Sequence, residues 1–410
     1  MRLSSFVIFL LFQLTLSSQE LLRFKLVPDV EAASSPVSIP LDGLILNLDT
    51  GRVALFEITG KTEKEVPCQL EPGVSPRLWF INESHSGVKK FVVRKIMNNT
   101  PASGRIEVKL SDKVMTVLKE GNPVLNYNHA VVYPPAGVDT VFKRSGFIHP
   151  LWSPGGEPLT RIQAPDHYHH YGIWNPWTET TIDGKKVDFW NLNKRQGTVR
   201  FAGYLDAVTG PVYGGFKVHQ EHIYFPEKNR ERLAIDEMWD VRVWNIPGKG
   251  ISVVDLTTTL NTPLPSGIML DAYRYGGGIG YRATEKWNKN NSSVLTSEGK
   301  TRADADGSNA RWCLVEGETT VPAGRSGILF LSHPSNRKHP EPMRVWPLEQ
   351  NGRGDLYFEF CPTRHFPWKL EPMNNYILKY RMIVFDGKMT PEEAERWWRG
   401  FAKTPRLDVS

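Results

Sequence analysis

Residues 232–245 place Leu233, Ile235, Glu237, Trp239, Val241 and Val243 at every second position. Residues 252–261 repeat the spacing with Val253, Asp255, Thr257 and Thr259, and Pro247-Gly248 marks a turn between the two runs. With 215–225 before them, these are three consecutive long runs of period two. Side chains of an extended strand point alternately to two faces. Runs of this length therefore suit an antiparallel sheet with one face packed and the other wet. Glycine and proline, 34 and 30 residues respectively, make turns frequent and long helices few.

Shorter strand-like runs fill the rest of the chain, at 44–48, 53–58, 90–96, 105–110, 114–118, 123–127 and 130–133. Asp49-Thr50-Gly51 reads as a hairpin turn after the first, and Asp183-Gly184 as the turn of a hairpin from 179–181 to 187–190. One helix is expected. Thr390-Pro391-Glu392-Glu393 is a capping box with proline at the first helical position. Ala394, Trp397, Trp398 and Phe401 then form an apolar stripe at helical spacing. The fold class that follows is mainly β, a large antiparallel β-sandwich with a short C-terminal helix.

Arg2, the apolar run 6–16 and the small residues Ser17-Ser18 read as an export signal. The run is about half the ~20 residues that span a bilayer, and no later stretch is long and apolar enough. The expected organisation is a signal peptide at 1–18, an N-terminal β region at 19–118, a β-sandwich at 119–402 and a tail at 403–410. A periplasmic or extracellular protein is expected, with no membrane span after signal removal. The formal net charge of +6 is scattered, with no long basic run, which argues against nucleic acid as a partner. Cys68, Cys313 and Cys361 fit no metal spacing.

The chemistry concentrates between His149 and Trp190. Four of the eleven histidines, His149, His167, His169 and His170, lie there, the last three within Asp166-His-Tyr-His-His-Tyr-Gly-Ile-Trp174. In an extended chain His167 and His169 project from one face and His170 from the other. Histidines so placed can act as general base and acid or share a metal. Asp166 can orient one ring through an Nδ1–H bond. Tryptophans 152, 174, 177 and 190 flank the cluster and offer flat apolar faces suited to sugar rings. Glu298, in Ser297-Glu298-Gly299, is a candidate second acid–base group. The loop 333–339 would aim His333 into a rim. The Gly-x-Gly-x-x-Ala at 278–283 lacks a βαβ context, so no nucleotide cofactor is expected.

The run His-Tyr-His-His-Tyr-Gly-Ile-Trp at 167–174 resembles the signature of the exported PmoA-like proteins of Bacteroidetes and Planctomycetes. Their usual pattern is Asp-His-Pro-His-His-Arg-Gly-Leu-Trp. Further similarities are Phe147-x-His149-Pro150-Leu151, Ser297-Glu298-Gly299, His333-Pro334-Ser335-Asn336 and the closing run 380–387, so the resemblance spans about 140–402. Tyr168 and Tyr171 stand where that pattern has proline and arginine. The family borrows the name of a membrane methane monooxygenase subunit and is distinct from it. The resemblance implies a galactose-mutarotase-like supersandwich and a carbohydrate substrate. The expected function is an exported carbohydrate-active enzyme acting on an oligosaccharide or modified sugar. His167, His169, His170 and Glu298 would be catalytic. His149, Arg161, Tyr168, Trp174, Arg274 and His333 would bind substrate. Two alternatives stand beside it: a metal-dependent oxidase or hydrolase with ligands drawn from His149, His167, His169 and His170, and a non-catalytic glycan-binding protein. A transition metal such as copper or zinc suits imidazole ligands.

Overall fold

The computed structural model describes residues 19–28, 31–42, 52–83, 87–97, 105–227, 230–248 and 250–409. The expected signal peptide at 1–18, the strand at 44–48 and the turn Asp49-Thr50-Gly51 lie outside the described residues.

The long alternating runs become neighbouring strands of an eight-stranded antiparallel sheet. Its order is Gly197–Val208, Tyr213–Glu227, Arg230–Trp244, Ile251–Asn261, Tyr376–Asp386, Arg325–Ser332, Trp312–Glu318 and Ser292–Thr296. Trp239 stands opposite Val218 on one side and Thr258 on the other, so the apolar parity of adjacent strands coincides. A second antiparallel sheet runs Asn309–Ala310, Glu341–Val345, Tyr357–Phe360, Ile279–Arg282, Ile173–Trp174, Phe147–Leu151, Asn122–Asn128, Val114–Lys119 and Ile106–Leu110. The main core lies between these sheets. There Tyr127 packs 6.1 Å from Trp239, and Tyr281 5.1 Å from Phe330. The protein is thus mainly β, with two large antiparallel sheets and a short C-terminal helix. The expected strand at 130–133 shrinks to a single bridge between Val132 and Arg144, ahead of Pro134-Pro135, which cannot donate to a ladder.

Among the described residues, one carboxylate is fully buried on the inner face of the eight-stranded sheet. Glu237 is fully buried and accepts from Trp239 Nε1 and Thr258 Oγ1, at 2.6 Å each, and lies 2.6 Å from His222 Nε2. Glu221, which stands opposite Asp236 in the ladder, faces outward to Arg200.

The described residues between 19 and 97 build a smaller sandwich with its own core, in which Phe24, Phe80 and Phe91 stack within 5.1–6.3 Å. The stretch read as a tail contributes a strand to it: Arg406–Val409 pairs with Gln19–Val27. The helix Pro391–Ala402 starts on the expected capping box, with Glu393 N donating to Thr390 Oγ1 at 3.2 Å and Thr390 N to Glu393 Oε2 at 2.8 Å. Its Ala394 and Trp397 bury against Leu314, Leu331 and Ile383 on the outer face of the eight-stranded sheet.

The outer face of the nine-stranded sheet positions the candidate site. Alternation sends Ile148, Ile173 and Phe358 into the main core, and Phe147, Trp174 and Tyr357 to the opposite side. On that side they meet Tyr171, Trp190 and Trp346 in a separate aromatic cluster.

Candidate metal centre

The histidines lie on the second strand of a two-stranded hairpin, Ile162–Ala164 with His167–Tyr171. Ile162 pairs with Tyr171 and Ala164 with His167, so three positions on one strand face five on the other. The surplus residues bulge, and Gln163 takes a positive φ of 47°. This overturns the expectation that His170 points away from its neighbours. The bulge breaks the two-residue alternation and turns all three rings together. Ring centroids are 5.3 Å apart for His167 and His169, 4.7 Å for His167 and His170, and 5.0 Å for His169 and His170. One ligand-capable nitrogen on each ring lies within 4.8 Å of the other two.

His170 is 1% exposed and rests on four aromatic rings: Trp174 at 5.3 Å, Trp190 at 5.4 Å, Trp346 at 5.5 Å and Tyr357 at 5.1 Å. Neither of its ring nitrogens has a hydrogen-bond partner. Trp190 is held over it by Asp188, whose Oδ1 accepts from the Trp190 and Asn191 backbones, and by its own Nε1, which donates to the His169 carbonyl at 3.0 Å. Burial disfavours the charged forms of His169 and His170. It pulls His169 down to about 4, with the neighbouring His167 adding to the effect, and His170 well below the ordinary histidine range. Neutral imidazole with a free lone pair is the form that binds a metal.

His167 is oriented from outside. Its Nδ1 lies 2.9 Å from Asp166 Oδ2. Burial alone would raise the Asp166 carboxyl, but the His167 hydrogen bond and the Arg282 guanidinium hold it well below the usual range. Ionised Asp166 therefore accepts the Nδ1 proton, which leaves the His167 Nε2 lone pair free. Asp166 also accepts from Arg282 Nη2 at 3.0 and 2.9 Å and from Asn351 Nδ2 at 2.9 Å. Arg282 is buried, donates to Asp355 Oδ2 at 2.7 Å and lies 4.6 Å from the centre of the Trp346 ring. That ring contacts His167 and His170.

The other candidates distribute unevenly. Arg161 stands at the edge of this network, 3.8 Å from Asp355 and 3.6 Å from Glu285. Trp174 is beneath His170 at 0% exposure, so it is the floor of the site rather than an open platform for a sugar ring. His149 hydrogen-bonds Thr160 Oγ1 at 2.9 Å and is outside the three-histidine group. Tyr168 turns to Phe142, and exposed Arg274 packs on Tyr275. Glu298 is not brought to the histidines. It follows a strand of the other large sheet, accepts from Ser297 Oγ at 3.0 Å and pairs with Arg311 at 3.2 Å, which in turn reaches Glu395 of the helix. His333 lines a cleft beside the helix end, on the outer face of that other sheet, with its ring 5.1 Å from Phe401. Sequence reading missed Arg282, Trp346, Asn351, Asp355 and Tyr357. They come from strands and loops more than a hundred positions downstream of the histidines, and no local spacing connects them.

A family model described as a family of unknown function, DUF6807, matches residues 115–399, which include both large sheets almost entirely and the whole histidine cluster. No curated protein matches the chain.

Proposed function

The chain belongs to the DUF6807 family, whose function is unknown, and from its histidine cluster we propose a metal-dependent enzyme. His167, His169 and His170 hold one transition-metal ion and leave a coordination position for water or substrate. The observation that carries this reading is His170: a buried imidazole with two unpartnered nitrogens, facing two further imidazoles. An orphaned buried polar group costs about 1–3 kcal/mol, and a ligand at the centre of the cluster removes that cost. An all-imidazole donor set favours zinc or copper over magnesium or calcium. At metal–nitrogen distances of about 2.0–2.1 Å, tetrahedral ligands stand roughly 3.4 Å apart. The half-buried His167 and His169 rings therefore close inward on binding. A bound ion of this kind supplies Lewis acidity or an activated water. Asp166 fixes the His167 tautomer, and the aromatic wall excludes solvent.

The substrate class proposed with this centre is carbohydrate, supported by the PmoA-like resemblance of 140–402. Export is supported by the apolar run 6–16, and N-terminal sequencing of secreted protein should read from Gln19 or Glu20. A second reading draws on the Asp166–His167 contact at 2.9 Å: His167 acts as a metal-free general base, oriented by the carboxylate. Elemental analysis and a glycan panel separate the two. The metal reading expects about one equivalent of zinc or copper after reconstitution, and turnover lost on chelation and restored by metal. Wild-type protein that turns over glycans after chelation would support the second reading and remove the first.

A further inference from the structure

On the far side of the molecule from the histidines, the outer face of the eight-stranded sheet, the small sandwich and the end of the helix enclose a cleft of about 420 Å³. The sheet contributes Asp240, Arg242, Asp255, Lys379 and Arg381; the sandwich contributes Arg77 and Trp79; the helix end contributes Phe401. Two of the residues lining it each carry a buried donor atom without a partner. Arg381, 4% exposed, gives Nε and Nη2 to Asp255 at 2.6 and 2.8 Å and keeps Nη1 without a partner. Trp244, 2% exposed, has no partner for Nε1. Both are donors only, so what satisfies them must be an acceptor.

The charge balance points the same way. Arg242 is neutralised by Asp240 and by Glu71 at 2.6 Å, and Arg381 by Asp255. Arg77 gives its guanidinium to Ser38 Oγ at 2.9 and 2.6 Å, and Lys379 lines the cleft; among the described residues neither has an ion-pair partner. Burial and the nearby Lys379 keep His333 uncharged near neutral pH, so it adds no further cation. The cleft therefore carries two unneutralised cations, a guanidinium donor held rigid by its bidentate aspartate, and an indole donor.

We infer that this cleft binds a small ligand through an oxyanion, a carboxylate, sulfate or phosphate group, seated against Arg381 Nη1 and Trp244 Nε1 and neutralised by Arg77 and Lys379. A guanidinium with a free donor in a partly desolvated cleft suits such a group. The site is independent of the histidine cluster, since the two lie against different sheets.

Isothermal titration of the full chain with inorganic phosphate, sulfate and glucuronate, with glucose as the neutral comparison, tests this. One saturable site is expected for at least one anionic probe and none for glucose at the same concentrations, and the preferred probe tells which oxyanion is read. Lys379→Glu and Arg77→Gln should each weaken binding by about tenfold or more, because each removes a cation facing the ligand. The Lys379 side chain has no ion pair or hydrogen bond among the described residues, so the melting temperature of Lys379→Glu without ligand should stay near wild type; Arg77→Gln also gives up the bonds to Ser38 and serves only as a binding readout. His170→Phe should bind the anion as wild type does. Failure of every anionic probe to saturate, equal binding of glucose, or wild-type affinity in both cation variants would overturn the inference.

Discussion

His170 lies where a buried apolar side chain would be expected to serve stability better. Its ring is enclosed by three tryptophans and a tyrosine, and both nitrogens forgo the hydrogen bonds they would make in water. Replacing it with phenylalanine removes the unsatisfied donor and acceptor at similar volume. We predict that His170→Phe leaves the melting temperature of metal-free protein unchanged or raises it, while abolishing metal retention. A structural histidine would give the opposite result, a lower melting temperature with no change in metal content. Asp166→Asn should act more gently. The His167 ring loses its anionic orienter, and metal affinity should fall by about 10–100-fold in a competition titration, with the ligand set unchanged. Glu298→Gln should leave metal content at the wild-type level, because its partners are Ser297 and Arg311.

Strands divide what was legible in the sequence from what was not. The long alternating runs and the capping box were legible because their signals are local: parity along one strand, and three residues around one helix start. Asp183-Gly184 was legible for the same reason, since both residues adopt the positive φ that its hairpin turn requires, 47° and 75°. The convergence of His170 was not. A bulge is a two-strand property, and parity along one strand assigned the ring to the wrong side. Arg282 and Asp355 complete the network from other strands and loops, so only the fold brings them to Asp166. The alternating strand Arg230–Trp244 also carries a stability prediction. Trp239 is fully buried between the sheets, and Trp239→Ala should cost about 3–5 kcal/mol in a denaturant titration. The strand Glu341–Val345 carries one on pH. Glu341 is fully buried, accepts from Tyr380 Oη at 3.0 Å and Asn336 Nδ2 at 2.9 Å, and is lifted by burial to about 7. Between its ordinary value of 4.5 and about 7, the folded chain keeps a proton that the unfolded chain has released. Stability from this group is therefore full below the lower value and falls as pH rises through the window, by about 3 kcal/mol in all. Glu341→Gln should flatten that slope; an unchanged pH profile in the variant would show that Glu341 does not titrate there.

At the scale of the whole molecule, the two large sheets present different chemistry on their outer faces. The nine-stranded sheet carries an aromatic bed on which the bulged hairpin lays three imidazoles. The eight-stranded sheet carries the helix, the small sandwich and a cationic cleft between them. The small sandwich is fastened there by Gln69 Oε1, which accepts from the Val212 and Tyr213 backbones at 3.1 Å each, and by the Glu71–Arg242 ion pair. The main core sits between the sheets, and neither site draws on it for its polar groups. The central claim is that His167, His169 and His170 coordinate one metal ion. X-ray absorption spectroscopy of the zinc- or copper-loaded full chain tests it most directly. Three imidazole nitrogens at about 2.0–2.1 Å in wild type, and no retained metal in His170→Phe, is the predicted result. A wild-type chain that retains no metal, or a metal whose imidazole count is the same in the variant, would contradict it.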